Sequence, residues 1–146
     1  MLLAGEHVLS LAFYLEESRL APPWSDTWIR PEESGDSDDL CAVVTFSRPY
    51  AHMFGPPNDE AFSGHPLAAR GLKPYSVFEV ENSSWVHSLE RMNSVHPYHR
   101  PERFVLLKHF IYSFHDSTFE CVAEAFSISL RRGSVLLVLQ ATANEA

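Results

Sequence analysis

Leu9, Leu11, Phe13 and Leu15 alternate with Ser10, Ala12 and Tyr14, the two-residue period of a strand with one better-buried face. A strand from about His7 to Glu16 is expected. The β-branched run "LCAVVTF", residues 40–46, predicts a central strand, and "YSVFEVE", residues 75–81, predicts another. Trp85, Leu89 and Met92 recur at helical spacing through "SWVHSLERMNSV", which predicts one principal helix over about residues 84–95, packed on the sheet. Asn82, Ser83 or Ser84 is placed to cap it, and His96-Pro97 ends it because the residue before proline avoids helical angles. The C-terminal third reads as an antiparallel meander over residues 104–115, 118–131 and 134–140, with turns at Asp116-Ser117 and Arg132-Gly133.

Two stretches lack periodicity. Residues 21–39, "APPWSDTWIRPEESGDSDD", concentrate Pro, Ser, Gly and Asp and predict a long acidic, flexible surface loop, with Trp24 and Trp28 placed to pin it to the body. Residues 47–72 are too rich in Gly and Pro for a regular element and predict two short helical turns, the first capped by Asn58 or Asp59 and the second closed by Gly71. The whole predicts a single α+β domain over residues 1–146: a mostly antiparallel sheet of about five or six strands with a C-terminal meander and one principal helix.

The stretch "HFIYSFHDSTFECVAEAF", residues 109–126, carries the most chemistry. If Asp116-Ser117 is a two-residue loop, His115 opposes Thr118, and the pairs 113/120 and 109/124 follow. One face then collects Phe110, Tyr112, Phe114, Phe119, Cys121 and Ala123. The other collects His109, Ser113, His115, Glu120 and Glu124 together with Ile111, Thr118 and Val122, and a carboxylate beside His109 favours its imidazolium. Alternation alone also accounts for this polar face as a solvated one. After Glu124 the apolar phase slips by one residue, to Phe126, Ile128 and Leu130, the signature of a bulge or of a covered second face.

Composition narrows the chemistry. With 11 basic against 19 acidic residues the formal charge is −8, which opposes a phosphate backbone and an anionic membrane surface, so neither nucleic acid nor membrane is expected as a partner. Eight histidines, if all protonated, would bring that charge to zero, which predicts falling solubility in mild acid. Cys41 and Cys121 lie in apolar runs and read as reduced core residues of a cytoplasmic protein. The apolar N-terminus has no basic n-region and is interrupted by Glu6 and His7, so it does not read as a signal peptide.

Three polar groups remain as candidates. His109, His115 and Glu120 are the catalytic candidates, in which an imidazole moves protons and the carboxylate orients it. His52, Asn58, Asp59 and His65 sit in the proline-stiffened "HMFGPPNDEAFSGHP" and join His109, Ser113, His115, Glu120 and Glu124 as binding candidates, a turn with a helix cap being the alternative for that loop. His96 and His99, three apart in "HPYHRPE", are the metal candidates, with His, Asp and Glu ligands favouring a divalent transition metal over calcium. No glycine-rich phosphate loop, nucleophile elbow or Cys-x-x-Cys occurs.

The stretches "FGPPNDEAFSGHPLAARGL", "NSSWVHSLERMNSVHPYHRPE" and "HFIYSFHDSTFECVAEAF" resemble those of a group of small uncharacterised bacterial proteins, over residues 50–126. The resemblance implies a bacterial cytoplasmic origin and supplies no catalytic residue. Three functions stay open from the sequence. The first is a module binding a small molecule or a protein through a polar His/Glu pocket, with homo-oligomerisation left open. The second is a small metal-dependent or acid/base enzyme using clustered His and Glu, and the third an immunity- or antitoxin-type binder of a basic partner.

Overall fold

A computed structural model describes residues 1–16 and 38–145. Almost all of the acidic loop expected at 21–39, including Trp24 and Trp28, lies outside the described residues.

The fold is α+β, built on two antiparallel sheets packed face to face. Strands β1 (Leu2–Ala4), β2 (Leu9–Tyr14), β3 (Leu40–Ser47) and β8 (Ala125–Arg132) form one sheet in the order β1-β2-β3-β8. Strands β4 (Ala51–Gly55), β5 (Val77–Val80), β6 (Lys108–Ser113) and β7 (Thr118–Ala123) form the other in the order β4-β7-β6-β5. Three α-helices accompany them among the described residues: α1 (Ser84–Asn93), α2 (Glu102–Val105) and α3 (Val135–Glu145). The eight described strands exceed the five or six expected, because β1 and β4 are edge strands too short or too exposed to print a clear period.

Alternation does the sorting. Leu9, Leu11, Phe13 and Leu15, with Val44 and Phe46 of the neighbouring β3, share one core with Phe110, Tyr112, Phe119 and Cys121 of the other sheet. The opposite face of the first sheet, Ala12, Tyr14, Cys41 and Val43, is covered by Val135, Val138 and Leu139 of α3. Strand β3 is therefore buried on both faces, as a central apolar strand should be.

The stretch 134–140, expected as a strand, is the start of α3. Gly133 at φ 138° ends β8, the Ser134 hydroxyl accepts from Leu137 N–H at 3.4 Å, and Val135, Val138 and Leu139 place their burial at the i, i+3, i+4 spacing of a helix. Two β-branched residues do not outweigh that period. The expected strand 118–131 is likewise two strands. At Glu124 the chain leaves one sheet and enters the other, Glu124 N–H donating to Ser47 O at 3.0 Å. Crossing to the facing sheet reverses which side points inward. One residue outside both ladders is thus the cause of the phase slip after Glu124, and Phe126, Ile128 and Leu130 lie opposite Phe46, Val44 and Ala42.

The β6–β7 register is shifted by two residues from the expected one. Ser113 pairs with Thr118, Ile111 with Glu120 and His109 with Val122, because the turn holds four residues, Phe114–Ser117, closed by Phe114 N–H on Ser117 O at 2.8 Å. His109 does not oppose Glu124, nor Ser113 Glu120. A two-residue shift preserves the side-chain faces, so the sorting of core from polar residues holds.

The second face of this hairpin is covered. His109, Ile111, Ser113, Thr118 and Val122 are all buried there, and Glu120 is half-buried. Ser113 Oγ donates to Lys73 O at 2.8 Å and accepts from Ser76 N–H at 3.1 Å, while Thr118 Oγ1 donates to Pro57 O at 2.8 Å. These bonds fasten the segment between β4 and β5 over the sheet. Within that segment stand the two expected helical turns, Phe62–Gly64 and Ala68–Arg70, with the Asn58 side chain accepting from Ala61 N–H at 3.1 Å and Gly71 closing the second at φ 95°. Helix α1 ends at Asn93 and is capped by Ser83, which accepts from Val86 N–H at 3.3 Å. Trp85 and Leu89 are half-buried, but Met92 is 70% exposed.

Candidate functional site

Two clusters join the hairpin to the 57–76 segment. The first is sealed. Glu120 receives one imidazole on each carboxylate oxygen, His65 Nε2 at 2.9 Å on Oε1 and His109 Nε2 at 2.7 Å on Oε2. His65 Nδ1 accepts from Leu67 N–H at 3.1 Å, so its proton sits on Nε2 and is donated to the carboxylate. His109 Nδ1 meets Ser83 Oγ at 2.9 Å, and the His109 ring packs edge-on against Trp85 with centroids 5.1 Å apart. The N-cap of α1 is thus tied to the sheet through an imidazole. Burial opposes ionisation of Glu120, but the hydrogen bonds from His109 and His65 outweigh it and hold its carboxyl below the ordinary value. With His65 and His109 side chains only 4% and 5% exposed, this group has little room for a ligand.

The second cluster is open. Asp59 Oδ2 accepts from the Tyr75 hydroxyl at 2.6 Å and from His115 Nδ1 at 2.8 Å, and Asp59 Oδ1 accepts from Glu60 N–H at 2.8 Å. The Tyr75 and His115 rings stack at 6.3 Å and 12°, and Asp59 N–H donates to His115 O at 2.9 Å. The Tyr75 and His115 hydrogen bonds lower the pKa of Asp59; the bond to Asp59 in turn raises that of His115 and pushes Tyr75 up to about 12. Tyr75 stands at φ 57°, a left-handed backbone that a bulky residue adopts only at a cost of order 1–3 kcal/mol. Beside the cluster His115, Asp116 and Ser117 wall a small cleft of about 50 Å³ whose apolar side is Phe13, Phe54 and Phe114. His115 Nε2 makes no hydrogen bond among the described residues and lies 3.8 Å from Asp116 Oδ1.

The remaining candidates lie elsewhere. Glu124 pairs with Arg48 at 3.1 Å at the crossover between sheets. Exposed His52 stacks on Phe119 from edge strand β4, at 6.4 Å and 27°. Ser113 is consumed in fastening Lys73 and Ser76. His96 Nδ1 accepts from Tyr98 N–H at 3.1 Å, and His99 Nδ1 lies 3.0 Å from Asn93 Oδ1 with its ring against Phe104, so both close the turn between α1 and α2. Among the described residues no group of three or more His, Cys, Asp or Glu side chains is placed to hold a metal ion. Likewise, no described helix is long and apolar enough to cross a membrane.

Sequence reasoning found both carboxylates and all three imidazoles of the two clusters, but not Tyr75, read as the first residue of a strand, nor the link from Ser83 to His109. Both contacts are non-local, spanning 16 and 40 residues for Tyr75 and 26 for Ser83, and no short motif announces them.

The chain matches no protein-family model, no curated protein and no solved structure.

Proposed function

We propose that this chain is a small-ligand-binding module whose recognition group is Asp59–Tyr75–His115, with the His65–Glu120–His109 cluster as the scaffold that holds its loop in place. The observation that carries this reading is the contrast in exposure: the His115 side chain is 49% exposed, whereas those of His65 and His109 are almost fully buried. Rigid loops on a packed sheet are where ligand contacts are held. The ligand fitting the cleft presents a hydroxyl to His115 Nε2, which accepts from it while Nδ1–H is held by Asp59 and donates to its oxygen when the imidazole is protonated; Asp116 at 3.8 Å opposes a second anion, and Phe54 and Phe114 take a short apolar end. Cys121, a free thiol buried in the core, supports a reducing, cytoplasmic setting. The test is a thermal-shift and ligand-observed NMR screen of small neutral oxygen compounds: hits should lose binding in His115→Ala and keep it in His52→Ala.

One observation favours a second reading, acid/base catalysis. Asp59 holds Nδ1 of His115 at 2.8 Å and leaves Nε2 free, the arrangement in which a carboxylate orients an imidazole for proton transfer. With Nδ1–H held by Asp59, Nε2 of the neutral ring is the proton acceptor of such a reaction and, once protonated, its donor. A turnover assay in which His115→Gln abolishes a rate that Glu120→Gln leaves measurable would favour catalysis over binding alone.

A further inference from the structure

A second, much larger concavity lies away from both His/acid clusters. It is a broad open cleft of about 920 Å³ between the β3–β4 connection and the α1–α2 region, and it shares no lining residue with the cleft at His115. That volume is in the range of small-molecule and cofactor sites. Its charge contradicts the rest of the chain. In a protein of formal charge −8 it gathers Arg48, Arg100 and Arg103, with Glu124 as the one carboxylate on its wall among the described residues. Glu124 is engaged with Arg48 at 3.1 Å. Arg100 and Arg103 are exposed and make no ion pair among the described residues.

The other wall is aromatic. Tyr50 and Phe104 meet edge to face at 5.2 Å, Tyr98 is 83% exposed, and Leu106 is 58% exposed. Arg48, in the connection between β3 and β4, holds a left-handed backbone at φ 49°, two residues before Tyr50. Guanidinium groups without carboxylate partners, beside exposed rings, are suited to pairing with phosphate oxygens while a planar group stacks alongside.

We infer that this cleft binds a small molecule carrying phosphate and a planar ring, the chemistry of a nucleotide. A nucleic-acid strand fits less well, because the net charge of the whole chain repels a polyanion that runs beyond the cleft.

Adenosine 5′-diphosphate, adenosine and inorganic pyrophosphate serve as probes, titrated by calorimetry and by amide shifts on the full chain. ADP should bind more tightly than pyrophosphate, with adenosine weakest, and should move amides at 48–50 and 93–107. Arg100→Glu and Arg103→Glu should each weaken ADP at least tenfold, whereas Arg70→Glu, the same charge change on a turn outside the cleft, should alter it less than twofold. Arg100 and Arg103 are exposed, so a melting temperature near that of the parent shows that each variant is folded, and Arg103→Gln gives a second, uncharged test. Equal binding of ADP and adenosine, equal losses in Arg70→Glu and Arg100→Glu, or tighter binding of a single-stranded oligonucleotide than of ADP would each overturn the assignment.

Discussion

Glu120 Oε2 lies 2.7 Å from His109 Nε2 across the β6–β7 ladder, two residues along β6 from its direct partner Ile111 and on the same face. That diagonal contact ties α1 to the sheet and, beside the Ser113 and Thr118 bonds, helps hold the 57–76 segment there, since His109 reaches Ser83 and the other Glu120 oxygen reaches His65. In Glu120→Gln an amide NH₂ replaces one acceptor and leaves a buried imidazole N–H unpaired. Urea denaturation at pH 7 should report a loss of about 1–3 kcal/mol, and an unchanged midpoint would mean that the segment is held by other contacts.

The same carboxylate sets an acid limit. The folded pKa of Glu120 is lowered from 4.5, so its contribution is present above that value and lost as pH falls through the lowered one. Stability of the parent should therefore fall more steeply below about pH 4.5 than that of Glu120→Gln. Parallel pH–stability curves would contradict the two-imidazole hold.

His115 has the opposite sign. Its pKa is raised above 6.5 by Asp59, so the pair contributes fully below 6.5 and is lost as pH rises through the raised value; Asp59, lowered from 3.8, keeps its share until pH falls through its own lowered value. In an NMR titration the His115 midpoint should lie above 6.5 and drop toward it in Asp59→Asn. A midpoint indifferent to Asp59 would separate the two residues in solution.

Tyr112 is 1% exposed in the middle of the sandwich, and its hydroxyl has no hydrogen-bond partner among the described residues. An unpaired buried hydroxyl is a standing cost, so Tyr112→Phe should raise stability by about 1 kcal/mol, read as a higher melting temperature. Destabilisation would reveal a partner for that oxygen.

Much of this was legible in the chain. Leu9 to Leu15 prints its period and 40–46 its continuous apolar run because β2 presses one face on the core and β3 is buried on both, and the hairpin faces survive a register error of two because side chains alternate with period two. Three features were not. The move of Glu124 between sheets looks locally like a bulge, α3 hides its 135/138/139 stripe among β-branched and leucine residues, and β4 is exposed along its length. At the site the acids and imidazoles could be named, but not which pairs meet: Glu120 takes His65 from 55 residues away, and Asp59 takes His115 from 56, separations that only the packing of the 57–76 segment decides.

The division between a sealed anchor and an open recognition group is tested most directly by the imidazole ¹⁵N spectrum of the folded protein, recorded with and without a small oxygen ligand from the screen. The His115 resonances should shift on addition, and those of His65 and His109 should stay in place. Shifts at His65 or His109 with His115 unmoved would place the ligand at Glu120 and contradict the account.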